Sequence, residues 1–190
     1  MRNPLLRGAL LGLLLLPIAA GCVVPGSTTP PRSQVVEADA RALAYGRSAA
    51  EIFENPQMRD KLTALFGADW GPPTPGGVGK LNGAAPEYFS LGGPVRMVNV
   101  GDASYISVTG CVRQDCAKRR GLLLIREGGE QLMARLDEGG FSHHYAFGPG
   151  MAPGPTGGAG GPDRAGVMLG SALRALERVS DGSPFPRPAP

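Results

Sequence analysis

Cysteine, histidine and sequence signatures of catalysis are scarce in this chain, and each shortage excludes something. Three cysteines and two histidines are present. A metal site built on Cys111 and Cys116 would need two further ligands, and His143 and His144 are neighbours in a strand-like segment, so they point to opposite faces. There is no Cys-x-x-Cys, which argues against a redox pair. No Gly-rich loop follows a strand and opens a helix, and no local pattern marks a nucleophile or a paired acid and base. The chain therefore reads as a non-enzyme without metal or cofactor. Lysine and arginine form no stripe, which removes nucleic acid as a partner. The N-terminal apolar run, Leu10 to Leu16 with a break at Gly12, falls short of the roughly 20 residues that span a bilayer.

That short run has another use. Arg2 and Arg7 precede it and Ala19-Ala20-Gly21-Cys22 follows it, the layout of an export signal. The small-small-Cys ending resembles a bacterial lipobox. The resemblance implies removal of residues 1–21, lipidation of Cys22 with palmitate-type chains, and anchoring in the cell envelope. Val23 after the cysteine resembles sorting to an outer membrane, facing the periplasm. A plain signal peptide with a chance cysteine is the alternative. Loss of Arg2 and Arg7 lowers the formal net charge from +3 to +1, so the basic pI comes partly from the signal. Lipidation uses one cysteine. Cys111 and Cys116 then have no competitor, and an exported compartment permits their disulfide.

The remaining residues divide into a flexible Pro/Ser/Thr-rich tether over 22–33, a domain over 34–182 and a Pro-rich tail over 183–190. Two helices are expected first. One runs from Val35 to Phe53, with an apolar stripe through Val36, Ala40, Leu43, Ala50 and Phe53. The other starts at Asn55 as N-cap with Pro56 behind it and stops at Gly67. Its apolar face is Met58, Leu62, Leu65 and Phe66. Gly71 to Ala85 is a connector without an element. Trp70 at its entrance reads as a core-edge aromatic, with ligand stacking as the alternative.

The period then becomes strand-like. Expected strands are Val95–Val100, Ala103–Thr109, Leu122–Arg126, Glu130–Leu136 and Phe141–Phe147, joined by short turns at Gly101-Asp102, Gly128-Gly129 and 137–140. The continuous apolar run from Leu122 is that of a strand covered on both faces. His143 and His144 read as ordinary strand histidines. A Gly/Pro-rich insert over 148–162 is expected to be mobile or extended. A last helix, Arg164 to Val179 capped by Asp163, carries the stripe Leu169, Ala172, Leu173, Leu176 and Val179. The whole is an α+β domain, a five-stranded antiparallel meander with helices before and after it.

Between the second and third strands lies Cys111-Val112-Arg113-Gln114-Asp115-Cys116, a polar tip pinched between two cysteines. It reads either as a structural staple or as a probe for a protein cleft. The loop and its surroundings resemble the inhibitor of vertebrate lysozyme family, which carries Cys-Lys-Pro-His-Asp-Cys between two strands. Cys111, Asp115 and Cys116 match, as do Ala117-Lys118-Arg119-Arg120, the apolar strand Leu122 to Ile125, and the upstream order of helix, Trp70 and Gly-Asp hairpin. The resemblance covers roughly Leu62 to Val179. It implies an envelope protein that lodges this loop between the catalytic carboxyl groups of a lysozyme, blocking the cleft. Val112, Arg113 and Gln114 replace the family's lysine, proline and histidine. Arg113 supplies a cation one position earlier, and Gln114 donates hydrogen bonds without charge. The expected function is thus inhibition of a lysozyme or related muramidase. The alternative is a non-inhibitory binding or structural lipoprotein of the same fold with another target, bacterial lytic transglycosylases included. A homo-oligomer is left open.

Overall fold

The computed structural model describes residues 30–36, 39–151, 154–156, 164–180 and 183–186. The expected signal segment, Cys22, most of the expected tether and Asp163 lie outside them. The domain is α+β. Its sheet is antiparallel throughout and contains all five expected strands plus three more. The strands are β1 (Ser33–Val36), β2 (Leu91–Gly92), β3 (Arg96–Val100), β4 (Ala103–Cys111), β5 (Arg120–Arg126), β6 (Leu132–Glu138), β7 (Phe141–Phe147) and β8 (Gly154–Thr156). They lie in the order β1-β3-β4-β5-β6-β7-β8, with β2 pairing the far end of β4. The meander follows from the turns. Gly101, Gly128, Gly129, Gly139 and Gly140 all have positive φ, where a side chain is strained and glycine is not.

The helices are α1 (Ala49–Glu54), α2 (Pro56–Phe66) and α3 (Arg164–Arg178). α2 begins and ends as its punctuation predicts. The Asn55 side chain accepts from the Gln57 N–H, Pro56 takes the first position, and Gly67 closes the helix at φ 55°. Met58, Leu62, Leu65 and Phe66 are fully buried.

Both sheet faces are covered, giving three layers. On one face Ile106, Val108, Leu123, Ile125, Ala134 and Leu136 meet α1, α2 and a 3-10 turn at Ala85–Phe89. On the other, Tyr105, Leu122, Leu124 and Met133 meet Leu169, Ala172 and Leu176 of α3. The alternating residues of β5 therefore serve two separate cores, as its unbroken apolar run predicts.

Several expectations meet a different outcome. The helix over Val35–Phe53 is absent as such. Val35 and Val36 are β-branched and pair with β3, turns follow, and only Ala49–Glu54 is helical, capped by the Ser48 hydroxyl. Gly46 at φ 149° marks the break, because a Cβ there would sit 2.8 Å from Glu51 Cβ. Leu43, assigned to the buried stripe, is exposed. Ser33, placed in the tether, already belongs to β1. The Gly/Pro-rich insert, expected to be mobile or extended, is extended over Gly154–Thr156, which adds a strand to β7. Val179, placed on the buried stripe of the last helix, is half exposed.

Candidate functional site

β4 and β5 run out of the sheet together and are tied at their ends. Cys111 and Cys116 are disulfide-bonded, with Cα atoms 4.8 Å apart. Inside the tie the chain folds back on itself. The Val112 N–H donates to the Arg119 carbonyl at 3.0 Å, and the Asp115 N–H to the Val112 carbonyl at 2.8 Å. Arg119 Nε reaches Asp115 Oδ2 at 3.1 Å. Val112 leans on the helix-side core. Arg113 and Gln114 at the apex are exposed.

The base of the hairpin is held from both faces. On the helix side, Gly110 pairs with Gly121, and the Phe89 ring occupies the space their missing side chains leave: a Cβ on Gly121 would stand 2.6 Å from Phe89 Cζ. Ser90 follows directly. Its hydroxyl donates to the Cys111 carbonyl at 3.3 Å and accepts from the Arg113 N–H at 3.2 Å. On the α3 side, the tail comes back to the loop. Thr109 Oγ1 donates to the Pro184 carbonyl at 2.8 Å, Phe185 is buried beneath the Arg120 guanidinium at 4.7 Å, and the Pro186 carbonyl oxygen lies 3.7 Å from Cys111 Sγ. Residues 183–186 are therefore a packed strap. Phe185 and Pro186 form one wall of a groove of about 720 Å³ whose other wall is Arg113, Gln114 and Cys116.

Charge at this end of the sheet is mostly positive. Asp137 is bonded by Arg135 Nε at 2.8 Å and the Ser142 hydroxyl at 2.7 Å, and approached by Arg120 at 3.5 Å. Asp115 is taken by Arg119. Arg113 and Lys118 make no ion pair among the described residues. The apex thus presents a guanidinium and a carboxamide on a cationic rim.

Behind the loop lie two buried carboxylates that hold the Gly71–Ala85 connector. Asp69 accepts from the Lys80 N–H at 2.5 Å, the Leu81 N–H at 3.0 Å and the Tyr145 hydroxyl at 3.0 Å. Glu138 accepts from the Asn82 backbone and side chain, each at 3.1 Å, and from the Tyr88 hydroxyl at 2.6 Å. Both tyrosines are pushed well above their usual range, by burial first and then by the adjoining carboxylate. Every oxygen of this network is engaged, so it is an anchor rather than an open acid–base site.

Other sequence candidates lie elsewhere. Trp70 is partly buried and stacks on Phe53 at 6.1 Å and 9°, a core-edge aromatic. His143 and His144 face opposite sides of β7, opposite Leu136 and Arg135 respectively, and neither joins the loop. Sequence reasoning missed Phe89, Ser90 and Phe185. Two signals were available: Gly110 and Gly121 flanking the cysteine pair in two strand-like runs, and a lone phenylalanine in an otherwise Pro-rich tail. No helix among the described residues is long and apolar enough to cross a membrane. No family model, no curated protein and no solved structure matches the chain.

Proposed function

We propose that this chain is a lipid-anchored envelope protein that inhibits a lysozyme or related muramidase by inserting the Cys111–Cys116 tip into its cleft. One observation carries the reading: Arg113 and Gln114 stand exposed at the apex of a hairpin braced by a disulfide, by Ser90 and by the returning tail. A braced tip loses little conformational entropy on docking, which favours binding. Muramidase clefts work through paired carboxyl groups, and a planar guanidinium matches a carboxylate in shape and charge. In this reading the protein is not an enzyme. It takes no cofactor or nucleic acid, and meets the membrane through Cys22. The likeness to the inhibitor of vertebrate lysozyme family rests on the loop and the order of elements.

A second reading has its own support. The strap fills one side of the loop, so the tip is less free-standing than a bare probe. This suits a binding lipoprotein that kept the fold and changed its target, including control of lytic transglycosylases. Inhibition assays of the mature chain against c-type, g-type and phage-type lysozymes and a lytic transglycosylase separate the two. Inhibition of none of the lysozymes removes the first reading. Mass spectrometry of native protein tests the anchor: an unmodified Cys22 removes it.

A further inference from the structure

The end of the sheet opposite the cysteine loop has a composition of its own. β4 starts beside the Gly101-Asp102 turn and ends at Cys111, nine residues later. At about 3.3 Å per residue, the two ends are separated by roughly 26 Å. The described chain enters at the turn: the Gly101 N–H donates to the Arg32 carbonyl at 2.8 Å, and Ser33 pairs with Val100. Around this entry stand Arg32, Arg126, Arg164, Arg174 and Arg178, all exposed. Among the described residues none of the five forms an ion pair, whereas Arg41, Arg119, Arg120 and Arg135 all do. Asp102 is the one carboxylate lining the two grooves of this end. Glu127 beside Arg126 is turned to Arg41, Glu177 adjoins Arg178, and Asp163 and Asp181 lie outside the described residues. Arg178 Nη2 donates to the Ser33 carbonyl at 2.7 Å, and Arg174 Nη2 to the Ser171 hydroxyl at 3.0 Å, which leaves most of their donors facing outward. Two open grooves, of about 790 and 470 Å³, meet at Pro31 and Gly101 between these arginines.

A nearly neutral mature chain has thus gathered at one end five guanidinium groups that form no ion pair among the described residues. Guanidinium forks bind phosphate oxygens two at a time. Residues 22–29, fully stretched, reach at most about 28 Å, so an anchor at Cys22 would keep this end within a protein diameter of the lipid. We propose that the Arg32–Arg174–Arg178 end is a foot that rests on the phosphates of an anionic lipid surface and aims the Cys111–Cys116 tip away from the membrane. The lipid-anchor reading enters only in bringing the membrane to this end.

The test uses mature acylated protein on phosphatidylcholine vesicles with and without phosphatidylglycerol. A fluorophore is placed at Gln34→Cys in the foot or Gln114→Cys at the tip, and a quencher is attached to lipid headgroups. Quenching at position 34 is expected only on anionic vesicles and is expected to vanish at high salt. Position 114 is expected to stay bright. Arg32→Gln with Arg174→Gln, which spares the Arg178 bond to β1, is expected to weaken the foot contact about 25-fold, at roughly five-fold per arginine. Equal quenching on neutral vesicles, quenching at position 114, or no effect of the double variant overturns the proposal. Failure of the protein to stay on neutral vesicles means that the anchor reading has failed. The foot is then judged on the unacylated mature chain by co-sedimentation with anionic vesicles. Salt-sensitive binding lost in the double variant supports it, and binding unaffected by the variant overturns it. Release by inorganic phosphate beyond that by chloride at equal ionic strength reveals a free-phosphate site and overturns the membrane assignment.

Discussion

Gly110 lies directly across the β4–β5 ladder from Gly121, and Phe89 lies in the notch between them. This one relationship sets the height of the 3-10 turn above the sheet. The turn in turn places Ser90 within reach of both Cys111 and Arg113. The loop is therefore positioned from below by the absence of two side chains.

Filling the notch is expected to show this. A methyl at Gly121 meets the tip of a ring, which can shift, whereas a methyl at Gly110 meets Phe89 Cα at 2.6 Å. Overpacking of a tight core costs about 1–3 kcal/mol. Gly110→Ala is expected at the upper end and Gly121→Ala at the lower, with Phe89→Leu partly restoring the latter. Urea unfolding of the three variants measures it. Two alanine variants as stable as wild type would show that the notch is slack.

Asp69 holds the connector by three donors. Asp69→Ala leaves the Lys80 and Leu81 amides and the Tyr145 hydroxyl without their acceptor. Each buried unpaired group costs about 1–3 kcal/mol. Limited proteolysis is expected to cut within residues 71–84 before any strand is reached. First cuts elsewhere would contradict the anchoring role.

Tyr88 and Tyr145 give the domain an alkaline limit. Their folded pKa values are raised above the unfolded one by burial and by Glu138 and Asp69. Between those values the unfolded chain has lost protons that the folded chain keeps. Stability is therefore intact below about pH 10 and falls as pH rises beyond it. The slope is at most about 1.4 kcal/mol per pH unit for each tyrosine. Tyr145→Phe is expected to lessen the fall without abolishing it, because Tyr88 and, to a smaller extent, Tyr45 and Tyr105 are raised by burial too; urea midpoints from about pH 9 upward measure it. An unchanged slope would mean that Tyr145 does not take part.

The disulfide closes a ring of only six residues, which in the chain-entropy model contributes about 2 kcal/mol. Cys111→Ala with Cys116→Ala is expected to preserve the far-UV circular dichroism. It is expected to speed hydrogen exchange at Asp115, whose amide bonds Val112 inside the ring, and at Val112, whose amide bonds Arg119 just beyond it. Collapse of the sheet signal would show that the tie supports more than the tip.

How far the sequence could be read depended on whether a signal was local. The capping at Asn55, Pro56 and Gly67 is written in adjacent residues, and α2 has those bounds. Alternation and glycine turns are equally local, and the meander follows them. The Val35–Phe53 helix failed because apolar spacing there competes with edge pairing on β3, a contact with residues more than sixty positions away. β8 was hidden by low complexity for the same reason: its partner, not its composition, makes it a strand. At the site, the cysteine pair and Arg113 were legible. Phe89, Ser90 and Phe185 were marked only indirectly, by the glycines flanking the cysteine pair and the lone phenylalanine of the tail, because each reaches the loop through tertiary packing that its own spacing does not encode.

Arg113 and Gln114 decide what the tip does. Asp115 is neutralised by Arg119, so within the ring Arg113 carries the uncompensated charge. In a muramidase cleft it would be the main electrostatic anchor. Truncating one partner of a desolvated charge pair costs about 2–5 kcal/mol, hence Arg113→Ala is expected to abolish inhibition. Its backbone amide still bonds Ser90, so the loop itself is expected to keep its shape. Gln114→His restores a donor that can also carry charge, and is expected to strengthen inhibition. If the loop is only a staple, both exposed positions behave as ordinary surface: stability moves by less than about 0.5 kcal/mol, and binding to lysozyme does not respond. Titration of wild type and the two variants against a c-type lysozyme, with urea midpoints alongside, separates these outcomes. Inhibition that survives Arg113→Ala would place the anchor elsewhere on the cationic rim, where Lys118 forms no ion pair among the described residues. Equal and negligible inhibition by wild type and Gln114→His would leave the non-inhibitory lipoprotein as the better account of the same fold.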